Sequence, residues 1–126
     1  MTPEHTKELM GIYPELFSDL HPREPFYLFG FECGDGWFDL LKDCIEKIKE
    51  ICERDHVETK IAQIKEKYGT LRFYLDHYTN DIGTVVDEAE EKSKITCEEC
   101  GKEGSLKQIR GWYSTKCNEC NKANCA

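Results

Sequence analysis

Five cysteines crowd into the last 30 residues, and the first four, Cys97, Cys100, Cys117 and Cys120, form two Cys-x2-Cys pairs separated by sixteen residues. A Cys-x2-Cys turn is tight enough to aim both sulfurs at one ion. Two such turns supply the four thiolates of a closed tetrahedral site, which is the two-knuckle spacing of a zinc ribbon. A full thiolate shell leaves no open position for an activated water, so the predicted role of the metal is structural. The same thiolates suit an iron–sulfur cluster, and a Cys-x2-Cys pair also serves as a redox couple, usually at a helix start in a βαβ context. Cys125 competes with Cys120 as fourth ligand. Between the knuckles, Gly101 and Gly104 permit turns, and Leu106, Ile109, Trp112 and Tyr113 are expected to cap the metal.

A second concentration of chemical groups lies at Gly30-Phe-Glu-Cys-Gly-Asp-Gly-Trp-Phe38. Backbone N–H groups at a helix start attract anions, Trp37 offers a ring for stacking, and Arg72 adds a cation from elsewhere in the chain. The ligand-binding set read from this pattern is Glu32, Cys33, Asp35, Trp37, Arg72 and Tyr74. Its structural alternative makes Trp37 core, Asp35 a helix cap and Arg72 a solvated strand residue. An enzymatic reading as a small hydrolase or nuclease pairs Cys33 with His56 or His77, or gathers a divalent metal on Glu32, Asp35 and Asp39, but neither set forms an ordered motif.

Charge narrows the partners. Residues 1–93 carry 11 Lys/Arg against 21 Asp/Glu and residues 94–126 carry 6 against 4, so a net −10 body precedes a net +2 tail. An acidic body repels phosphate backbones, which argues against nucleic acid as its partner and leaves Lys102, Lys107, Arg110, Lys116 and Lys122 as the residues for a nucleic-acid-binding ribbon. No apolar run approaches the ~18 residues of a membrane span. The opening residues lack a basic segment followed by an apolar one, and the expected location is the cytoplasm, with reduced thiols.

The elements that must position these groups are legible by period. The apolar positions Trp37, Phe38, Leu40, Leu41, Cys44, Ile45, Ile48, Ile51 and Cys52 fall within an arc of roughly 160°, predicting a helix over 36–54 capped by Asp35. Leu71, Phe73 and Leu75 alternate with Arg72, Tyr74 and Asp76, a half-buried strand that pairs with 57–65 through a turn at Lys67-Tyr68-Gly69. A short helix and turn are expected over 3–17, an extended connector at 21–25 and a buried strand over Phe26–Phe31. Asn80-Asp81 is expected to cap a helix whose stripe is Ile82, Val85, Val86 and Ala89. The predicted architecture is α+β, a small antiparallel hairpin sheet packed with two or three helices in an acidic body (1–93), followed by a zinc-ribbon tail (94–126).

The Gly30–Phe38 loop, the segment Ile64-Lys-Glu-Lys-Tyr-Gly-Thr-Leu-Arg-Phe-Tyr74 and the two-knuckle tail together resemble a family of small uncharacterised bacterial and bacteriophage proteins, over about residues 10–120. Its members share a GFECGDGW-type loop, a KEKFG-LRFY-type hairpin, an acidic helix and a C-terminal zinc-binding segment. Tyr68 and Thr70 stand here where Phe and Gly are common, and some members finish the metal site with His where this chain offers Cys120 and Cys125. The resemblance, which extends to bacteriophage proteins, implies a non-catalytic protein, acting in the host cytoplasm if phage-encoded, that binds or sequesters a host protein or a small anionic, nucleotide-like ligand, as in counter-defence.

Overall fold

The computed structural model describes residues 1–120, and its architecture is α+β. Two short helices, α1 (Pro3–Ile12) and α2 (Pro14–Phe17), open the chain, each with proline in its first turn, where the missing N–H costs nothing. The extended segment expected over Phe26–Phe31 is instead a single helical turn, α3 (Pro25–Phe29), followed by a two-residue strand, β1 (Phe31–Glu32). Pro25 starts the turn and Gly30, at φ 64°, ends it. Helical geometry also explains the exposure: Phe26 enters the core while Tyr27, Leu28 and Phe29 face outward, an arrangement that strand alternation does not give.

A 3₁₀ turn at Asp35–Trp37 leads into α4 (Phe38–Asp55), which buries the predicted stripe from Leu40 to Cys52 and closes on His56 in the left-handed conformation, its N–H returning to the Cys52 carbonyl. The hairpin of β2 (Ile61–Lys67) and β3 (Thr70–Leu75) turns through Tyr68 and Gly69, both at positive φ as a type I′ turn requires. Strand β1 adds to β2 in parallel, pairing Phe31 with Ile64 and Glu32 with Lys65, so the sheet is mixed rather than a bare hairpin. Helix α5 (Asn80–Ser93) starts one residue earlier than expected: the Thr79 hydroxyl, not Asn80 or Asp81, accepts the Ile82 N–H at 3.2 Å, while Asp81 pairs with Arg54.

Helix α5 packs on α4 and β3, and α1 packs on α4. Their apolar faces meet Ile61, Ile64, Leu71 and Phe73 in one cluster of 22 buried side chains. Strand β3 is an edge, and its outward N–H groups are closed by side chains: Leu71 donates to Ser93 Oγ, Phe73 to Glu90 Oε2 and Leu75 to the Tyr78 hydroxyl, at 2.9–3.0 Å. Among the described residues no helix is long and apolar enough to cross a membrane. The tail is a second antiparallel pair, β4 (Ser105–Ile109) with β5 (Trp112–Lys116).

Candidate metal centre

The cysteine cluster follows from how the tail folds back on itself. Register pairs Ser105 with Lys116, so the segment entering β4 and the segment leaving β5 lie side by side at one end of the hairpin. The first carries Cys97 and Cys100, the second Cys117 and Cys120. Gly101, at φ 82°, closes the first knuckle by donating its N–H to the Cys97 carbonyl at 2.9 Å, while the Cys97 N–H reaches the Lys102 carbonyl at 2.8 Å. In the second, the Cys120 N–H points at Cys117 Sγ at 3.5 Å.

The four sulfurs all lie within 4.8 Å of one another, and Cys100 Sγ stands 3.5 Å from Cys117 Sγ. Metal–sulfur bonds of about 2.3 Å in a tetrahedron require sulfur separations of about 3.8 Å, so the donor set has the dimensions of a four-thiolate cage. Cys97 and Cys117 are buried, Cys120 is half-buried and Cys100 lies at the surface. Burial alone would push the Cys97 thiol up, but N–H groups of Cys117, Cys100 and Glu99 aimed at its sulfur outweigh this and bring it down to about 6. Cys120 is pushed the other way, because its protonated thiol is held by hydrogen bonds to the Cys117 and Cys97 sulfurs, with burial and the Cys97 charge adding to the effect. The group can therefore bind a metal ion. Cys125, the alternative fourth ligand, lies outside the described residues.

The remaining sequence-derived site residues divide into two groups. Cys33, Asp35 and Trp37 sit in the loop beneath the first knuckle, and this loop is fully occupied by the tail. The Gly36 N–H donates to the Glu98 carbonyl at 2.7 Å, the Gly34 N–H to Glu98 Oε2 at 2.9 Å, and the Trp37 indole N–H to the Thr96 carbonyl at 2.9 Å. A Cβ on Gly34 would stand 2.5 Å from the Glu98 carbonyl oxygen, and one on Gly36 would fall onto the Cys97 carbonyl. The glycines thus let two backbones touch, and the N–H groups that the anion-binding reading required are already taken. Trp37 is wholly buried and offers no stacking face. Asp35 does not cap α4: its carboxylate accepts from the Thr2 N–H at 2.8 Å and contacts His5 Nδ1 at 2.9 Å. Burial, reinforced by Glu98, pushes the Cys33 thiol up to about 12, so it is a protonated thiol at neutral pH.

Glu32, Arg72 and Tyr74 lie elsewhere, on the sheet face opposite the core, where Lys65 stands between Glu32 and Arg72 and Gln63 is opposite Tyr74. The six residues therefore form two places, not one.

The four residues expected to cap the metal do not do so. Leu106 reaches Gly69 in the β2–β3 turn, and Tyr113 meets the Tyr68 ring edge-on, with centroids 6.1 Å apart. Ile109 and Trp112 flank the distal Arg110–Gly111 turn, Trp112 being 80% exposed. The tail's basic residues are also partly neutralised, Lys116 by Glu99 at 2.9 Å and Lys102 by Glu119 at 3.7 Å. Lys122 lies outside the described residues.

Sequence reasoning missed Glu98 and Thr115. Glu98 grips both loop glycines, and the fully buried Thr115 hydroxyl donates to the Gly69 carbonyl at 2.7 Å. Only the paired glycines at 34 and 36 signalled a close approach. The boundary expected at residue 93 coincides with the end of α5, and these hydrogen bonds cross it. No family model, curated protein or solved structure matches this chain. The Gly30–Phe38 loop, the β2–β3 turn and the two-knuckle tail, singled out by their residues, meet at this junction.

Proposed function

We propose that the protein is a non-catalytic, cytoplasmic binding module in which Cys97, Cys100, Cys117 and Cys120 hold one structural Zn²⁺. The observation that carries the reading is the coupling of a closed four-sulfur cage to the body through Glu98, the residue between the two cysteines of the first knuckle. Four thiolates fill a tetrahedral zinc shell, so the ion supplies rigidity rather than an activated water. Its effect is to fix the knuckle, and through it the β4–β5 hairpin, against the loop at 34–37 and the turn at 68–69. A small anionic or nucleotide-like ligand, or a partner protein, would then meet a surface built jointly from body and tail, including Arg72 and Tyr74. Cys33, the nucleophile of the enzymatic alternative, is buried and protonated, which weighs against that alternative.

Elemental analysis of protein purified under reducing conditions tests the metal. One equivalent of zinc per chain is expected, and less than half an equivalent, or mainly iron, overturns the assignment.

A further inference from the structure

The body's acidity is not shared by the outer face of its sheet. In α4, Lys42, Lys47, Lys49 and Arg54 each pair with an acid. On the sheet, Lys65, Lys67 and Arg72 make no ion pair within the described residues. Lys65 lies directly across from Arg72, and Lys67, two residues along β2, points to the same side. The acids nearby are committed: Glu32 accepts from Gln63 at 3.2 Å, Glu66 from the Gly69 N–H at 2.6 Å, and Glu90 from the Phe73 N–H at 3.0 Å. Three cations thus stand together without a direct ion pair among the described residues, Glu32 lying beside Lys65, Glu90 within electrostatic reach of Arg72, and Lys67 Nζ 5.6 Å from the Tyr68 ring centroid.

Beside them the tail completes a recess of about 490 Å³, lined by Tyr68, Thr70 and Arg72 from the body and by Leu106 and Tyr113 from the hairpin. Both tyrosine rings are substantially exposed, 64% for Tyr68 and 42% for Tyr113, and Arg72 Nε is buried without a hydrogen-bond acceptor. An unsatisfied guanidinium N–H, ring surfaces and two further cations along a strand match one ligand chemistry: a flat heteroaromatic group joined to a phosphate. The volume is within the usual range for small-ligand sites.

We propose that this recess binds a nucleotide unit, either free or within a single-stranded nucleic acid. The base lies against Tyr68 and Tyr113, and the phosphate is held by Arg72 with Lys65 and Lys67. Duplex is disfavoured, because its bases are not available to the rings and the surrounding acidic surface repels a second backbone. The inference rests on the reading of the protein as a metal-clamped binding module, since Leu106 and Tyr113 reach the recess only when the tail is docked.

The test uses the full chain, with zinc content and ligand binding measured on the same sample. Fluorescence anisotropy would follow labelled ten-nucleotide oligo-U and oligo-dT and a mixed-sequence duplex of equal length, and calorimetry would follow UMP and AMP. Saturable binding of the single strands is expected, with a log–log salt slope between about −0.7, for one phosphate shared by the three cations, and about −2, for one phosphate per cation. The duplex should bind at least about tenfold more weakly, and Arg72→Ala and Tyr113→Ala should each weaken single-strand binding about tenfold. Lys92→Ala, an equal charge change on α5, should stay within about twofold, as expected of a cation outside the contact. Arg72→Lys substitutes for Arg72→Ala if the latter melts early, and should lose the directional N–H contacts while keeping the charge. Mononucleotide binding as tight as that of the ten-mers identifies a free nucleotide as the ligand; tighter binding by the ten-mers identifies a strand.

Stoichiometric zinc with no binding of any of these probes overturns the recess alone. Binding with little zinc that is still weakened by Tyr113→Ala supports the recess, shows that the tail docks without the ion and overturns the metal assignment, and neither zinc nor binding overturns both. Equal binding of duplex, or unchanged binding by both Arg72 and Tyr113 variants, also overturns the recess.

Discussion

The body and the tail are held together by different physics. All 22 side chains of the apolar cluster come from residues 1–93, whereas beyond residue 93 the described buried residues are Cys97, Thr115 and Cys117. The body has the burial to fold by packing, with α4 and α5 laid on each other and on the sheet. The tail has two knuckles, one hairpin whose β4 strand is exposed throughout, and a set of hydrogen bonds to the body. A region of this size without a core needs a metal or a partner surface to hold its shape, and this tail has the residues for both.

The sharpest way to break this comparison is to remove the metal. Structural zinc in a small tail is worth an apparent ~10–16 kcal/mol, far more than any single contact here. Treating the protein with a strong chelator, or replacing Cys97 by Ser, should abolish hydrogen-exchange protection in β4 and β5 while the amides of α4 remain protected. If α4 and the hairpin lose protection together, the body depends on the tail and the division fails.

A smaller effect is expected at the junction. Gly36→Ala places a methyl group on the Cys97 and Glu98 backbone, where neither partner is a flexible side-chain end. The cost should be about 1–3 kcal/mol, as for other overpacked sites. Because the obstruction falls on the knuckle, zinc affinity measured against a chromophoric chelator should fall as well. Gly11→Ala is the control: it lies in α1 with open space around it and should stabilise by about 0.5–1 kcal/mol with no change in zinc affinity. Equal zinc affinities for wild type and Gly36→Ala would show that docking and metal binding are independent.

The same division explains which features were legible in the sequence. Helix α4 repeats its apolar positions at a helical period, and Leu71, Phe73 and Leu75 alternate along β3, so both could be read locally and both bury the expected faces. The cysteine spacing was legible because a chelate of four sulfurs imposes it. The use of the Gly34–Trp37 loop was not. Its partners, Thr96 and Glu98, lie 59 to 64 residues away, and a backbone-to-backbone contact leaves no period in either segment. Glycines before a helix fit an anion site and a close approach equally well, and the difference is made by Glu98, whose type carries no signal of its own. Phe26–Phe31 reads as a buried strand or extended segment because one turn is too short to show a helical period, although Pro25 at the start of the turn was the available clue.

The smallest expected effect probes the same loop from its other side. The Asp35 carboxylate is held below the usual carboxylate range first by the Thr2 backbone N–H, against some opposing burial, and then by His5. A carboxyl whose folded value is depressed contributes stability above its ordinary value near 3.8, and this contribution is lost as pH falls through the depressed value. Asp35→Asn retains an acceptor for the Thr2 N–H but cannot ionise. The melting-temperature gap between wild type and Asp35→Asn should therefore be narrower below about pH 4 than at pH 5. Glu90 works in the opposite sense, its carboxyl raised by burial despite the Phe73 N–H, so it favours the fold as pH falls. The total acid limb mixes the two signs, and only the difference between the variants isolates Asp35. The gap should be small, since the side chain is more than a third exposed and solvent screens it. Zinc affinity should not change, because Glu98 grips the loop through the backbone of Gly34 and Gly36 rather than through Asp35. A gap as wide at pH 2 as at pH 5 would show that Asp35 acts through shape alone. A fall in zinc affinity would show that the N-terminal tie and the tail hold one cooperative loop, removing the separation between the two regions.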